Sequence, residues 1–252
     1  MTTMADAPHR TAKADFPYYD GRPVPIDGSG WPFVLFGVAV AFVALTQIDV
    51  AGFTASFLKS VLFAGIPLAT LFLVVGHHWT ALFGPVGLTQ IGQMLVMALA
   101  TIVVSLVTAL VVSWLLPVAP NPLAVSMEDM EAGSFVLLLL PTLPQLVGEE
   151  LLAILPFLAI LWFVTARLGW SRRIGILLAL IGSSLLFGAA HLPTYDWHWG
   201  QALGIIGMAR VVLTLAYVWT KNLWVSAGAH IVNDWAGFFT VFLAGHAPIG
   251  AE

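Results

Sequence analysis

Three places in this chain put groups that can do acid–base chemistry inside long apolar segments. The first is the adjacent pair Glu149 and Glu150, in a run over residues 133–166 that carries no other charge. The second is His191 and the third is His230, each at or inside a later apolar segment. At the centre of a bilayer an ionised side chain costs about 2.5 kcal/mol or more, so such residues usually face a protein interior and mark a functional site. These positions therefore predict a polar site buried among apolar helices.

Two of the three places have a spacing that brings further groups onto the same helical face. Phe187 precedes His191 by four residues, which places the two rings one turn apart on a helix. His230 is followed by Asn233 and Asp234, and either side chain is close enough along a helix to orient the His230 ring. Ordinary packing between membrane helices needs none of these groups, so they are candidate site residues.

The composition is that of a polytopic membrane protein. Of 252 residues, 60% are hydrophobic and only 9% are charged, with a mean hydropathy of +0.95, whereas a soluble domain is about a quarter charged. The lipid bilayer is therefore a predicted partner. The net charge of −4, without a basic run, argues against a nucleic-acid partner. The absence of cysteine excludes thiolate chemistry and thiolate-bound zinc.

Apolar length predicts an all-α bundle of about seven transmembrane helices. A crossing needs about 20 apolar residues, and Gly, Pro and polar residues separate the apolar stretches. Residues 1–30 are predicted to form a polar N-terminal arm, and residues 31–252 one transmembrane helical domain. The predicted spans are residues 31–48, 56–75, 91–116, 134–166, 174–190, 201–219 and 223–243.

The fourth predicted span is unusual. It is long for one straight crossing, and it contains Pro141, Pro144 and Pro156, which are expected to break or kink a helix. We expect an irregular or re-entrant segment followed by a helix that begins near Gln145. Irregular backbone survives at membrane depth only where protein or a water-filled cavity covers it, so this prediction places a cavity beside Glu149.

Basic residues indicate the orientation, because connections on the cytoplasmic side carry an excess of Lys and Arg. With seven crossings, seven basic residues fall on one side: Arg10, Lys13, Arg22, Arg167, Arg172, Arg173 and Lys221. The connections 117–133 and 191–200 carry acids but no Lys or Arg. We therefore expect a cytoplasmic N-terminus and a C-terminus outside. The aromatic residues at 16–19 of the arm are expected at the headgroup level, where Tyr and Trp prefer to lie.

Residue counts also predict the depth of the candidate site. Glu149 lies 18 residues before Arg167, and His191 lies 18 residues after Arg173, so both are about 27 Å from the predicted cytoplasmic side. His230 lies only nine residues after Lys221, or about 14 Å from the same side. To bring the three groups level, either the last helix starts deeper or the connection before it dips into the bundle.

The motifs resemble those of a known family, the CPBP intramembrane proteases, which include the CAAX prenyl-protein endopeptidases and bacterial Abi-type proteins. The family pattern is a Glu-Glu pair followed after three residues by Arg, then Phe-x-x-x-His, then His-x-x-x-Asn or Asp, each on a separate transmembrane helix. The resemblance covers about residues 134–240. It leads us to expect an integral protein of the cytoplasmic (inner) membrane of a bacterium. The chain has the motifs in the same order: Glu149-Glu150, Phe187-x-x-x-His191 and His230-x-x-x-Asp234.

The resemblance implies an endopeptidase that cleaves a membrane-bound polypeptide with a glutamate-activated water. In that mechanism Glu149 is the general base, and His191 holds the water or the scissile carbonyl. His230 stabilises the oxyanion and is oriented by Asp234 or, as the less favoured choice, by Asn233. An enzyme of this glutamic type requires no cofactor.

A zinc mechanism stays open beside the metal-free one. Two histidines and one glutamate with an open position have the ligand count of a catalytic zinc site. The ligands would be Glu149, His191 and His230 if a metal is present. The resemblance favours the metal-free mechanism.

The chain departs from the family pattern at one position. Where the family has Arg, this chain has Ile154, so Glu150 lacks its usual cationic neighbour. Arg210 is the basic residue deep in a later predicted span. A buried charge without a partner is strongly destabilising. We therefore predict that Arg210 supplies the missing guanidinium to Glu150 from another helix.

A second class of function also stays open. The chain could be a non-catalytic membrane subunit of a larger complex, which it would contact through the N-terminal arm, with its histidines available to a pigment or haem metal. Ile154 in place of Arg favours this alternative. The presence of both glutamates, both histidines and Asp234 favours the enzyme.

Overall fold

The computed structural model describes residues 15–49 and 51–247, and in that part every regular element is a helix. The predicted all-α fold is confirmed. Part of the predicted arm, with Arg10 and Lys13, lies outside the described residues. Eight helices follow one another: α1 (Gly30–Gln47), α2 (Phe53–Val75), α3 (Leu88–Leu115), α4 (Pro122–Val125), α5 (Ala132–Arg167), α6 (Arg172–Ala190), α7 (Trp199–Thr220) and α8 (Leu223–Gly245).

Six of these helices are long and apolar enough to cross a bilayer, namely α1, α2, α3, α5, α6 and α7. Helix α8 has 23 residues, which is also enough for a crossing, but His230, Asn233 and Asp234 interrupt its apolar sequence. Counting α8 gives the predicted seven spans. These seven helices begin and end within three residues of the predicted limits, so apolar length and the breaks between apolar stretches located them.

The predicted break in α5 is wrong. The helix is uninterrupted over Ala132–Trp162, through Pro141, Pro144 and Pro156, and continues as a π-helical turn to Arg167. Each proline leaves the carbonyl four residues earlier without its helical donor, which membrane helices tolerate where neighbouring helices cover the site. Helix α5 packs against α2, α6 and α8, and 72% of its apolar window is buried. Its central position therefore keeps it helical.

A glycine allows α2 to approach α5 beside the glutamate pair. A Cβ atom at Gly148 would collide with the ring of Phe63, which is itself buried. Every residue of α5 from Gly148 to Ala159 is buried, except Glu149. The sequence thus places the two glutamates in the most enclosed part of its central helix.

The N-terminal arm packs against one end of the bundle. Phe16 and Tyr18 are fully buried. The ring of Phe16 packs against those of Phe157 and Tyr217, with centroids 5.4 and 6.0 Å away. The Tyr18 hydroxyl donates a hydrogen bond to the backbone oxygen of His78 at 2.8 Å. The described part of the arm is therefore held by the chain's own helices.

The connection between α7 and α8 lies inside the same end of the bundle. Asn222 and Leu223 are buried. The Asn222 side chain accepts a hydrogen bond from the Gly84 backbone N–H at 2.9 Å and donates one to the Pro85 carbonyl at 3.0 Å. This burial favours the inward connection of the two expectations for the depth of His230.

Candidate active site

Helix α5 presents its two glutamates in different directions, because successive residues on a helix are about 100° apart. The Glu150 side chain is completely buried between helices. The Glu149 side chain is 13% exposed and lines a cavity. One carboxylate is therefore fixed within the protein, and its neighbour can meet a substrate or water.

Glu150 is paired with Arg210 from α7. The guanidinium donates from Nη1 to Oε1 at 2.6 Å and from Nη2 to Oε2 at 3.0 Å, and both side chains are fully buried. Such a two-point bond fixes the orientation of both groups as well as neutralising the charge. The pairing predicted across helices is present, and Ile154 occupies the family's Arg position as a buried apolar residue.

Arg210 is itself held in place by two other helical contacts. Its Nε donates to the Thr214 hydroxyl at 3.2 Å, and its guanidinium lies 5.2 Å from the centre of the Phe187 ring. Helix α7 comes this close to α6 because of Gly188, where a Cβ atom would stand 2.6 Å from the carbonyl oxygen of Ala202. The glycine in α6 thus contributes to the site by allowing the approach.

The orientation of His230 differs from the prediction. Its Nδ1 lies 2.9 Å from Glu150 Oε1, and because a carboxylate oxygen accepts, Nδ1 is the donor. Asp234, the predicted orienting group, lies on the other side of the ring, with Oδ1 3.6 Å from Nε2, beyond normal hydrogen-bond length. Glu150, and not Asp234, orients the His230 ring because Glu150 approaches from α5 across the bundle. Residue spacing within α8 cannot reveal this contact.

The Nε2 side of His230 faces two carboxylates in the cavity. Glu149 Oε2 lies 3.7 Å from Nε2, close to the 3.6 Å separation from Asp234. Each of these carboxylates accepts a hydrogen bond from an amide of its own helix: Glu149 from Gln145 at 3.1 Å, and Asp234 from Asn233 at 2.9 Å. The side chains of α5 and α8 therefore converge on one small volume.

His191 stands at the end of α6 with one ring nitrogen available. Its Nδ1 lies 2.8 Å from the Phe187 carbonyl oxygen. A carbonyl can only accept, so Nδ1 carries the hydrogen and Nε2 keeps its lone pair. The Phe187 ring is 4.6 Å from the His191 ring and 6.4 Å from the His230 ring, centroid to centroid. Phe187 therefore spaces the two histidines around the cavity.

The cavity has a volume of about 480 Å³, and every predicted site residue except Glu150 lines it. A second cavity of about 450 Å³ lies on the other side of Glu149 and His191, which line both, as do Gln145 and Thr194. Glu149 and His191, which can accept a proton or a hydrogen bond, thus lie where the two cavities meet. Lining the first cavity are Glu149, Phe187, His191, Arg210, His230, Asn233 and Asp234.

Sequence analysis did not identify four polar residues at this site. Gln145 precedes Glu149 by four residues, so helical spacing could have indicated it. Thr214 has the same spacing from Arg210. Asn121 and Tyr195 come from connections outside the long helices, and no periodic signal marks them.

The donor geometry does not form the zinc site considered from the sequence. Within the described residues, no group of three or more His, Cys, Asp or Glu side chains is arranged to hold a metal ion. We therefore derive no step through a metal.

The fold and the buried carboxylate–histidine cluster define a helical membrane protein with a potential hydrolytic centre. Residues 131–236 match the family model described as Type II CAAX prenyl endopeptidase Rce1-like. That segment runs from the start of α5 into α8 and contains all the predicted site residues. This match is consistent with the CPBP, or CAAX protease, family and confirms the resemblance. At family level the match supports a membrane endopeptidase. Comparisons with curated proteins and with solved structures found no match.

Proposed function

We propose that this chain is an intramembrane endopeptidase in which Glu149 activates the water that attacks a peptide bond. The observation that carries the proposal is the convergence of Glu149, His191 and His230, from three helices, on one cavity. Water can be held there by polar side chains, whereas the surrounding helices are apolar. The family-level match supports the same reaction class.

The two glutamates have different parts in this mechanism. Glu150 is occupied by Arg210 and His230, so it serves as a fixed counter-charge that positions the histidine. Glu149 has an oxygen that faces the cavity and takes a proton from water as the general base. The Nε2 lone pair of His191 accepts a hydrogen bond from the other O–H of that water. This hydrogen bond orients the water for attack.

The remaining steps balance with the same residues. The water oxygen bonds to the carbonyl carbon, and negative charge moves to the carbonyl oxygen. His230, when its ring carries both protons, donates from Nε2 to this oxyanion. The C–N bond then breaks, and the proton held by Glu149 passes to the departing amine. The carboxylate is restored, so no further co-reactant is consumed.

An apolar groove supports a substrate that carries a lipid chain. The groove has a volume of about 810 Å³ and lies between α1 and α5. Phe42, Leu152 and Ala190 line both the groove and the second cavity beside Glu149. A chain lying in the groove would therefore reach the proposed cleavage position, in keeping with the prenyl endopeptidase named by the family description.

The features that favoured a non-catalytic subunit have explanations within the chain. Arg210 provides the charge that Ile154 does not. Phe16 and Tyr18 of the arm are buried against the chain's own helices. A complete set of acid–base groups is most simply explained by catalysis.

The test uses the purified full chain in lipid nanodiscs with internally quenched peptides. The peptides end in a CAAX sequence whose cysteine is either farnesylated or unmodified. We expect cleavage of the farnesylated peptide, and Glu149→Gln should lower kcat by at least about 100-fold, as removal of a general base does. Glu128→Gln is the matched control, because Glu128 is an exposed acid outside the site. Its rate should equal that of the wild type.

The same assay tests the mechanism and the alternative. Because the donor set for zinc is not formed, treatment with EDTA or phenanthroline should leave the rate unchanged. Full activity of Glu149→Gln would refute the proposed role of Glu149. A wild-type chain that cleaves neither peptide and co-purifies with other membrane subunits would support the non-catalytic alternative.

A further inference from the structure

The proposed hydrolysis requires hydrogen-bond donors for the oxyanion, and the predicted site residues provide few. His230 donates from Nε2 only when its ring is doubly protonated, because Nδ1 is committed to Glu150. An ionised Asp234 can only accept. Asn233 uses one amide hydrogen on Asp234. A donor that does not depend on the protonation of His230 would complete the site.

Tyr195 is placed to be that donor. It lies in the short helical turn Pro193–Tyr195 directly after α6. Its side chain is 93% buried and lines the cavity shared by Glu149, His191 and Asp234. The hydroxyl of a buried tyrosine usually finds a hydrogen-bond partner.

Contacts around Tyr195 leave its hydroxyl hydrogen free to donate. Asn121 donates from Nδ2 to the hydroxyl oxygen at 3.4 Å, so the hydroxyl's own hydrogen is left for a different partner. The backbone is held by hydrogen bonds from Tyr195 N–H to the Leu192 oxygen at 3.2 Å and from His198 N–H to the Tyr195 oxygen at 2.9 Å. The turn therefore holds Tyr195 beside the cavity with a hydroxyl hydrogen that is free to donate.

The phenol keeps its hydrogen over the whole working pH range. Burial, together with the nearby carboxylates of Asp234 and Glu149, raises the pKa of Tyr195 to about 12. Tyr195 can therefore donate a hydrogen bond at neutral pH whatever the charge of His230.

We propose that Tyr195 is a further catalytic residue, whose hydroxyl donates a hydrogen bond to the oxyanion formed at the scissile carbonyl. This inference rests on the proposed function, because it concerns the tetrahedral intermediate of that hydrolysis. The hydroxyl hydrogen stays on its oxygen throughout, so no proton is transferred. The oxyanion is thereby stabilised by two donors, one from the turn after α6 and one from α8.

The kinetic test compares two Tyr→Phe variants in the farnesylated-peptide assay. Tyr195→Phe should lower kcat by about 100-fold, the usual loss for one oxyanion donor, with KM nearly unchanged. Tyr217→Phe is the matched control. Its hydroxyl is buried, has no hydrogen-bond partner among the described residues, and packs beneath the arm. The control should keep the wild-type kcat, and unchanged kcat in Tyr195→Phe would overturn the proposal.

A binding measurement separates this proposal from the proposed function. A peptide phosphinate mimics the tetrahedral intermediate, whereas the matching peptide amide mimics the ground state. Tyr195→Phe should weaken phosphinate binding by about 100-fold and leave amide binding unchanged, as measured by titration calorimetry in nanodiscs. Equal weakening for both ligands, or for neither, would overturn the role of Tyr195. This result is obtained even if the wild type cleaves neither peptide, an outcome that refutes only the proposed function.

Discussion

At position 154 the chain has a buried isoleucine, and the guanidinium that serves Glu150 comes from Arg210 on another helix. The chemical requirement at Glu150 is a positive charge within hydrogen-bond distance. The local sequence need not supply it. Glu150 then holds His230 through Nδ1, so a single buried carboxylate connects α5, α7 and α8. Replacing Arg210, Glu150 or His230 should therefore disturb the position of the other two side chains.

We therefore predict that Arg210→Leu destabilises the protein by about 3–5 kcal/mol, because Glu150 becomes a buried charge without a cation. The measurement is the free energy of unfolding in detergent. Arg173→Leu, which removes an exposed arginine at the start of α6, is the control and should change stability little.

A double variant distinguishes stability from catalysis. Glu150→Gln combined with Arg210→Leu leaves no unpaired charge and keeps an acceptor for His230, so most of the lost stability should return. Activity should stay low, because His230 is no longer held by a carboxylate. A single Arg210→Leu variant as stable and as active as the wild type would contradict the importance of the pair.

At the scale of the helix, local sequence predicted most elements and failed at the most buried one. The spans other than the fourth follow from apolar length, because lipid imposes that length on each crossing separately. Helix α5 is different, since packing on several sides keeps it continuous through its prolines. The site also combines features that the local sequence predicts with one that it does not. The motifs on α5, α6 and α8 identified the site residues, whereas the Glu150–His230 contact depends on how the helices pack.

Helix packing also leads to a prediction at Gly148. Any side chain at Gly148 would displace the Phe63 ring and move α2 away from α5. Gly148→Ala should therefore cost about 1–3 kcal/mol, as overpacking does, and should reduce activity because Glu149 is the next residue. Adding Phe63→Leu should recover part of the stability.

Gly133→Ala is the control for this prediction. Gly133 lies near the start of the same helix, and a Cβ there would meet nothing within 4 Å. The substitution should be neutral or stabilise by up to about 1 kcal/mol through helix propensity. Equal destabilisation by Gly133→Ala and Gly148→Ala in thermal unfolding would show that contact with Phe63 is not the cause.

At the scale of the whole molecule, the arm ties the two halves of one bundle end together. Asp15 accepts hydrogen bonds from Arg172 at the start of α6, at 3.1 Å from Nε and 2.5 Å from Nη2. Phe16 lies beneath this pair, with the Arg172 guanidinium 5.2 Å and the Lys221 ammonium 5.0 Å from its ring centre. The arm therefore contacts both the start of α6 and the turn between α7 and α8.

This contact should make stability depend on pH. Burial raises the pKa of Asp15, but hydrogen bonds from Arg172 and the Phe16 N–H outweigh it and hold the pKa below its ordinary value of 3.8. A carboxylate whose pKa is lower in the folded than in the unfolded protein stabilises the fold at any pH above the unfolded-state pKa. This stabilisation is lost as the pH falls through the folded-state pKa. Below about pH 4, the free energy of unfolding should fall more steeply for the wild type than for Asp15→Asn. The additional loss in the wild type should be under about 1 kcal/mol, because the Asp15–Arg172 pair is partly exposed.

Melting temperatures measured between pH 3 and pH 7 test this prediction. The control is Asp49→Asn, which removes an exposed carboxylate between α1 and α2 and should keep the wild-type profile. If Asp15→Asn follows the wild-type curve as closely as the control does, then the arm is held by Phe16 and Tyr18 alone.

Charge distribution along α5 predicts how the molecule lies in the membrane. Acidic residues at 128–131 precede this helix, and Arg167, Arg172 and Arg173 lie at or just beyond its end. Basic connections stay in the cytoplasm, so the loop after α5 is predicted to be cytoplasmic and the loop before it outside. Glu149 is 18 residues from both Glu131 and Arg167, so the candidate site lies at the middle of α5.

The cysteine-free chain allows a direct measurement of this orientation, because a single introduced thiol has no background. Ser126 and Ser171 are exposed and lie before and after α5. In intact cells, a membrane-impermeant maleimide should label Ser126→Cys, and it should label Ser171→Cys only after the membrane is opened. The reverse pattern would invert the topology. Labelling of both thiols in intact cells would mean that α5 does not cross as a single helix, and the depth of Glu149 would then need a different explanation.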